Sequence, residues 1–254
     1  MTSDIKIGVE FKKLIPLWKE AFGDGDEFLS IFKKEAYSPK RCACILKDGE
    51  PVSALYWLDC EYEGERVAYL YAIATKKSER GKGLCKRLMR AVHSHLFRLG
   101  YGACLLVPSS EELFSFYSSL GYESLPLIDE FESASNGVPT EMREISADEF
   151  IKLRRSFLPR RAVLQEGACI NFLKNLAKFY TGPSFLLTAR REGDILLGLE
   201  LLGDKSCASG ILAALGFNSG VFRAPGHSRK FAMLLRSEKF TGLPAPEYFA
   251  FAFD

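Results

Sequence analysis

Residues 69–89 of the chain read YLYAIATKKSERGKGLCKRLM, and the fold turns on how that run is parsed. Residues 69–75 are apolar, aromatic or β-branched, the composition of a buried strand. A polar loop follows, and after Gly81 and Gly83 the leucines fall into helical spacing. The stretch is therefore strand, tight loop, helix. In the loop, Arg80, Gly81, Lys82 and Gly83 set bare backbone and two cations at the start of the helix. Unpaired amide N–H groups and the positive end of the helix dipole point outward there. Such a place binds phosphate.

Two nucleotide signatures built on the same logic do not fit. A Walker loop requires Gly-Lys-Ser/Thr, but Gly83 is followed by Leu84 and Cys85. A dinucleotide fingerprint places its third glycine at position 86, which is Lys86. Residues 80–85 instead fit Arg-x-x-Gly-x-Gly/Ala and so resemble the pyrophosphate signature of the GNAT superfamily of acetyl-CoA-dependent N-acetyltransferases. Cys85 holds the last small position, adding a Cβ and a thiol where that family brings backbone close to the pyrophosphate. The resemblance continues on both sides of the loop. Ile73, Ala74 and Thr75 look like the family's central strand. Residues 105–122, LLVPSSEELFSFYSSLGY, look like its next strand and helix and its Phe-Tyr-x-x-x-Gly-aromatic ending.

The resemblance implies a GNAT-like α/β (α+β) fold over residues 1–130, a mixed sheet flanked by helices, with acetyl-CoA as cosubstrate. It implies that backbone groups of Ile73, Ala74 and Thr75 meet the pantetheine and thioester. Amides of Arg80, Gly81, Lys82, Gly83, Leu84 and Cys85 would hold the pyrophosphate, and Tyr117 would be the general acid that protonates the departing thiolate. Acetyl transfer also needs an amine neutral enough to attack and stabilisation of the developing oxyanion. No general base stands out. Asp59, Glu61 and Glu63 lie on the hairpin before the central strand, Tyr69 and Tyr71 lie on it, and a water could serve; Asp254 at the chain end reads as solvent-exposed. The expected activity is N-acetylation of a primary amine on a small molecule or peptide. The rival reading is a non-catalytic acyl-CoA-binding or scaffolding protein.

Bulk properties narrow the alternatives. The chain has 254 residues, 47% hydrophobic and 26% charged, enough for one large or two small globular domains. A net charge of +2 gives no reason to expect nucleic acid or an anionic membrane as partner. No apolar run approaches the roughly 20 residues that span a bilayer, and the first residues lack a signal-peptide pattern, so a cytoplasmic protein is expected. Cysteines at 42, 44, 60, 85, 104, 169 and 207 are odd in number and lack Cys-x-x-Cys spacing, which reads as reduced, mostly buried thiols. With only His93, His95 and His227 as histidines, no metal site is expected.

Taken in order, residues 9–22 and 26–36 show helical periodicity on either side of Gly23-Asp24-Gly25. Residues 42–75 alternate and turn at Asp48-Gly49 and Glu63-Gly64, a three-strand meander. The helix after the loop puts Leu84, Leu88, Val92, His95 or Leu96 and Leu99 on one face, with His93 elsewhere. Residues 103–107 form a buried strand parallel to the previous one. Residues 131–141, FESASNGVPTE, read as a linker.

A second unit, residues 140–254, then opens with helical stretches at 147–157 and 163–180. The hairpin pattern of residues 185–204 overlays the first half when Gly193 is matched to Gly49, and Leu215-Gly216-Phe217 echoes Leu120-Gly121-Tyr122. In that register 72 positions separate the first pair of glycines and 23 the second, so the second unit reads as a truncated GNAT-like α/β copy that has lost its CoA-binding core. Residues 220–226, 230–236 and 247–254 read as strands.

Overall fold

The computed structural model describes residues 5–253. Two tight turns set the first sheet. Asp48 with Gly49 and Glu63 with Gly64 all take positive φ, the pairing whose twist matches antiparallel strands. They join β2 (Cys42–Lys47), β3 (Glu50–Tyr62) and β4 (Glu65–Thr75) into the expected meander. β1 (Ile5–Ile7) pairs with β2, and α1 (Phe11–Phe22) and α2 (Asp26–Glu35) connect the two. From β4 the chain crosses through α3 (Leu84–Arg98) to β5 (Ala103–Leu106), which runs parallel to β4, and α4 (Glu111–Ser118) follows. A late strand, β13 (Met233–Arg236), pairs antiparallel with β5, giving the order β1-β2-β3-β4-β5-β13.

Each face of this sheet carries helices. α3 buries Leu88, Met89, Val92, His93 and Leu96 against Ala43, Ile45, Leu55, Trp57 and Leu70. That stripe is rotated from the one expected. His93 is buried because the hydroxyl of Tyr122 lies 2.8 Å from its Nε2 and satisfies it inside. Leu99 caps the helix and is half exposed. On the opposite face, Trp18 of α1 and Phe32 of α2 pack on Tyr56 and Tyr71.

The second sheet has seven strands. In chain order its unit contains β6 (Leu127–Ala134), β7 (Arg143–Ile145), α5 (Ala147–Phe157), β8 (Lys178–Thr181), β9 (Phe185–Glu192), β10 (Ile195–Gly203), α7 (Ala208–Leu215), β11 (Ser219–Pro225) and β12 (Arg229–Lys230). The sheet order is β12-β6-β11-β10-β9-β8-β7. Three readings change here. The first four residues of the expected linker, 131–134, belong instead to strand β6, which pairs with β11 along seven residues. Its charges are tolerated because Asp129 meets Lys205 at 2.6 Å and Glu130 meets Arg223 at 3.0 Å. The helix expected over 163–180 shrinks to α6 (Ala168–Leu173) before β8 begins. Residues 247–253 form no regular strand; Tyr248 makes one bridge to Ala162. Gln165 exchanges two hydrogen bonds of 2.9 Å with the Phe251 backbone. Beside it, Arg154 and Glu200 form a buried bidentate ion pair at 2.7 and 3.0 Å.

The chain separates into two units, and the division is interleaved. Residues 5–123, Gly167–Phe172 and Met233–Leu243 form one; Ser124–Glu166, Leu173–Ala232 and residues 244–253 form the other. The boundary at 130–140 read from the sequence therefore misses two segments that return to the first unit. The sheets share a pattern: β7-β8-β9-β10-β11-β6 repeats the directions of β1-β2-β3-β4-β5-β13 strand for strand, including one parallel pair joined by one helix. This moves the register between the halves. Gly193, in the β9–β10 turn, corresponds to Gly64 and not to Gly49. Leu215-Gly216-Phe217 corresponds to Leu99-Gly100-Tyr101. Both triplets close a helix with the same pair of bonds, Tyr101 N–H to Leu96 C=O and Gly100 N–H to Phe97 C=O, against Phe217 N–H to Leu212 C=O and Gly216 N–H to Ala213 C=O. The second unit thus keeps a strand, loop, helix and strand, with a helix of 8 residues where the first has 15.

Candidate active site

β4 carries an extra residue near its end. Tyr56 pairs with Tyr71 and Ala54 with Ala74, so Ala72 and Ile73 together oppose Leu55, and Ala72 takes φ +48°. Residues two apart on a strand normally share a face. Because of the bulge Tyr71 and Ile73 do not: the Tyr71 ring packs 5.9 Å from Trp18, whereas Ile73 packs on the α3 side.

The same strand parts from its parallel neighbour. β4 and β5 pair only from Val67 to Tyr69 against Ala103 to Leu105, so β4 runs through its bulge with that edge open. A splayed parallel pair leaves backbone donors and acceptors for a ligand arm rich in amides. The end of β4 is braced on its β3 side by Ser53 and beyond it by Arg80 of the loop. The Ser53 hydroxyl donates to Ala74 C=O at 3.0 Å and sits 2.9 Å from the Thr75 hydroxyl, and Arg80 Nε donates to Thr75 C=O at 3.1 Å.

The loop beyond is shaped by Gly81 and Gly83, at φ +76° and +74°. Gly83 is the N-cap of α3, and neither a side-chain cap nor an acidic residue in the first turn covers its amides. The amides of Leu84, Cys85 and Lys86 thus begin the helix without a capping side chain. The two loop cations behave differently from the expectation. Lys82 Nζ bonds Glu79 at 2.9 Å and Ser78 C=O at 3.0 Å, and Lys47 reaches the same carboxylate at 2.7 Å. These bonds pull the Glu79 carboxyl down to about 2. Lys82 is therefore partly neutralised, and Arg80 acts as a brace on Thr75. The backbone amides at the start of α3 are therefore the least committed donors of this loop.

Cys85 sits with its side chain packed on the core, and burial pushes its thiol up to about 11. The departure at this position is thus absorbed inward, away from the open amides. Tyr117 on α4 is close enough to Cys85 to feel its charge state, and its ring lies 5.9 Å from Tyr122. Burial raises its phenol well above the ordinary value, so it holds even more tightly a proton that a free phenol already keeps at neutral pH. Among the described residues no protein group hydrogen-bonds its hydroxyl.

The carboxylates considered as bases are not at the bulge. Asp59 accepts from the Tyr101 hydroxyl and pairs with Arg41 at 3.1 Å and Arg66 at 3.6 Å. Glu63 is in the turn that starts β4, and the nine residues to Ala72 span roughly 30 Å of strand; Glu61, paired across to Arg66, is at that same end. Tyr69 and Tyr71 belong to the aromatic packing under α1 and α2. Asp254 lies outside the described residues. All seven cysteines are free, and among the described residues no cluster of His, Cys, Asp or Glu is placed to hold a metal. No helix among them is long and apolar enough to cross a membrane.

A bulged strand splayed from its parallel partner, feeding a glycine loop and an uncapped helix, defines a class of acyl-transfer fold, and the comparisons agree with it. Residues 8–125 match the acetyltransferase (GNAT) domain family, and this part of the chain is similar to that family. Solved structures extend the likeness over both units at low identity. A GCN5-related N-acetyltransferase from Anabaena variabilis ATCC 29413 superposes with a TM-score of 0.72 at 14% identity, covering 92% of this chain and 72% of that one. One from Kribbella flavida gives 0.67 at 14% identity, with coverage of 92% and 72%. Eis1 from Mycobacterium abscessus gives 0.66 at 10% identity, with coverage of 92% and 74%. No curated protein matches the chain by sequence.

Proposed function

We propose that this protein is an N-acetyltransferase that takes its acetyl group from acetyl-CoA and delivers it to a primary amine of a small molecule or peptide. The observation that carries the reading is the continuity of the open β4 edge with the uncapped start of α3. Two features of the chain fit CoA there. The glycine loop presents backbone amides to an anion, and a Cβ placed on Gly81 or Gly83 would meet nothing within 4 Å, so the approach is clear. Acetyl-CoA supplies an activated thioester. Around it, backbone of Ile73, Ala74 and Thr75 would align the pantetheine arm, and amides of residues 81–85 would hold the pyrophosphate. Tyr117, protonated and buried, would give its hydroxyl proton to the leaving sulfur. The second unit, with its shortened helix, is on this reading a reduced copy of the first. Seven free thiols suit a reducing compartment, and we place the enzyme in the cytoplasm.

The test compares Gly83→Asp with Gly83→Asn by calorimetric titration with acetyl-CoA. Both residues tolerate the left-handed backbone and are nearly isosteric, so they differ by one negative charge. One-site binding to the wild type, kept within a few-fold in the Asn variant and weakened about tenfold or more in the Asp variant, is expected. Absence of binding to the folded wild type, or equal loss in both variants, overturns the assignment.

A further inference from the structure

The second unit carries a concavity of about 460 Å³ that has no part in the acetyl-transfer site. Sheet register builds it. Lys178 pairs with Ala189, Tyr180 with Leu187, and Leu196 with Arg191, so these side chains share one face of β8, β9 and β10. It is the face on which α7 packs, through Leu187, Ala189 and Leu196 against Ile211 and Leu212. Phe217, just beyond α7, closes one side, and Lys174 from the turn before β8 closes the other.

The chemistry of the lining is uneven. Its floor is apolar and its rim is cationic. Lys178 is paired with Glu144 at 2.9 Å, but among the described residues neither Arg191 nor Lys174 has a carboxylate within ion-pairing distance. The Arg191 guanidinium lies 4.8 Å from the centre of the Phe217 ring. Stacking fixes the plane of its fork and leaves the edge to a bidentate acceptor. At the end of α7, backbone N–H groups of Phe217 and Gly216 bond the C=O groups of Leu212 and Ala213 at 2.9 and 3.3 Å. A pocket with an apolar body and a few convergent polar groups is the usual form of a small-molecule site.

We propose that this concavity binds a small organic anion with an apolar body. The oxyanion head sits between Arg191 and Lys174, and the body lies on Leu196 and Phe217. The inference is independent of the acetyl-transfer reading, since no residue is shared.

Calorimetric titration with 2-naphthoate, neutral 2-naphthol and inorganic phosphate tests it. Naphthoate is expected to bind one to one and about tenfold or more tighter than naphthol, with phosphate alone weaker than naphthoate because it lacks the apolar body. Lys174→Ala and Arg191→Ala should each weaken naphthoate about tenfold and leave naphthol unchanged. Lys174 is an exposed turn residue, so its variant keeps the test open if Arg191→Ala disturbs folding. Naphthoate and naphthol binding alike, naphthoate binding unaltered by Lys174→Ala, or no saturable naphthoate binding would each overturn the proposal.

Discussion

On the proposed mechanism Tyr117 is the acid; an ordinary phenol already holds its proton at neutral pH, and burial, with Cys85 beside it, holds this one more tightly still. Removing the hydroxyl while keeping the ring should preserve packing and acetyl-CoA affinity. Tyr117→Phe is expected to lower turnover about 100-fold with Kd for acetyl-CoA unchanged; unaltered turnover would take Tyr117 out of the reaction and favour a binding-only role. His93 makes a different prediction. Burial pushes its imidazole down to about 4, so it stays neutral in the fold while the unfolded chain protonates near pH 6.5. Stability from this group is unchanged above pH 6.5, falls as pH drops from 6.5 to 4, and is constant below that, a loss on the order of 3 kcal/mol. His93→Gln, which can still bond Tyr122, should flatten the urea midpoint over this window; a slope equal to the wild type would exclude His93 as its source.

The elements were legible to different degrees. Turns announced themselves, because Asp48-Gly49 and Glu63-Gly64 are residues that accept positive φ, and the loop glycines did the same. The β4 bulge left no mark: Ala72 is an alanine in a left-handed conformation, and only the pairing partners on β3 reveal it. β6 was hidden for another reason. Its acidic residues look like a solvated loop until Lys205, Arg223 and Arg229 are brought alongside by segments more than 70 residues away. The Arg154–Glu200 pair was equally invisible, since nothing in a sequence says that two charges 46 residues apart will be buried together. Losing one partner strands the other. Glu200→Leu or Arg154→Leu alone is expected to cost about 3–5 kcal/mol in chemical denaturation, and the double variant to recover most of it. Additive losses would mean that the two charges do not depend on each other.

At the scale of the molecule the sheets have exchanged their outer strands. β6 follows α4 in sequence but pairs with β11, while β13 follows β11 but pairs with β5. The triplet match read from the sequence set Leu215-Gly216-Phe217 against Leu120-Gly121-Tyr122 and so missed the shared strand directions, which align it with Leu99-Gly100-Tyr101; the exchange was missed too, because a boundary drawn through a polar stretch presumes that each unit is continuous. A fragment ending at residue 130 lacks β13, Phe240 packed on Gly102, and Phe172 packed on Phe28 and Phe32. It is expected not to unfold cooperatively, by circular dichroism on heating, whereas a chain joining residue 123 to residues 233–243 by a short turn should recover part of the transition. A fully cooperative 1–130 fragment would contradict this.

The exchange also sets a clock on biosynthesis. β5, which runs beside the open edge of β4, is made well before β13, and at about 5–20 residues per second the ribosome needs roughly 6–25 s to deliver that partner. Through this interval the nascent chain holds an unpaired, fully apolar strand edge beside the bulged end of β4. A slow stretch of codons between the two would lengthen that exposure, and a chaperone that covers strand edges would find its client here.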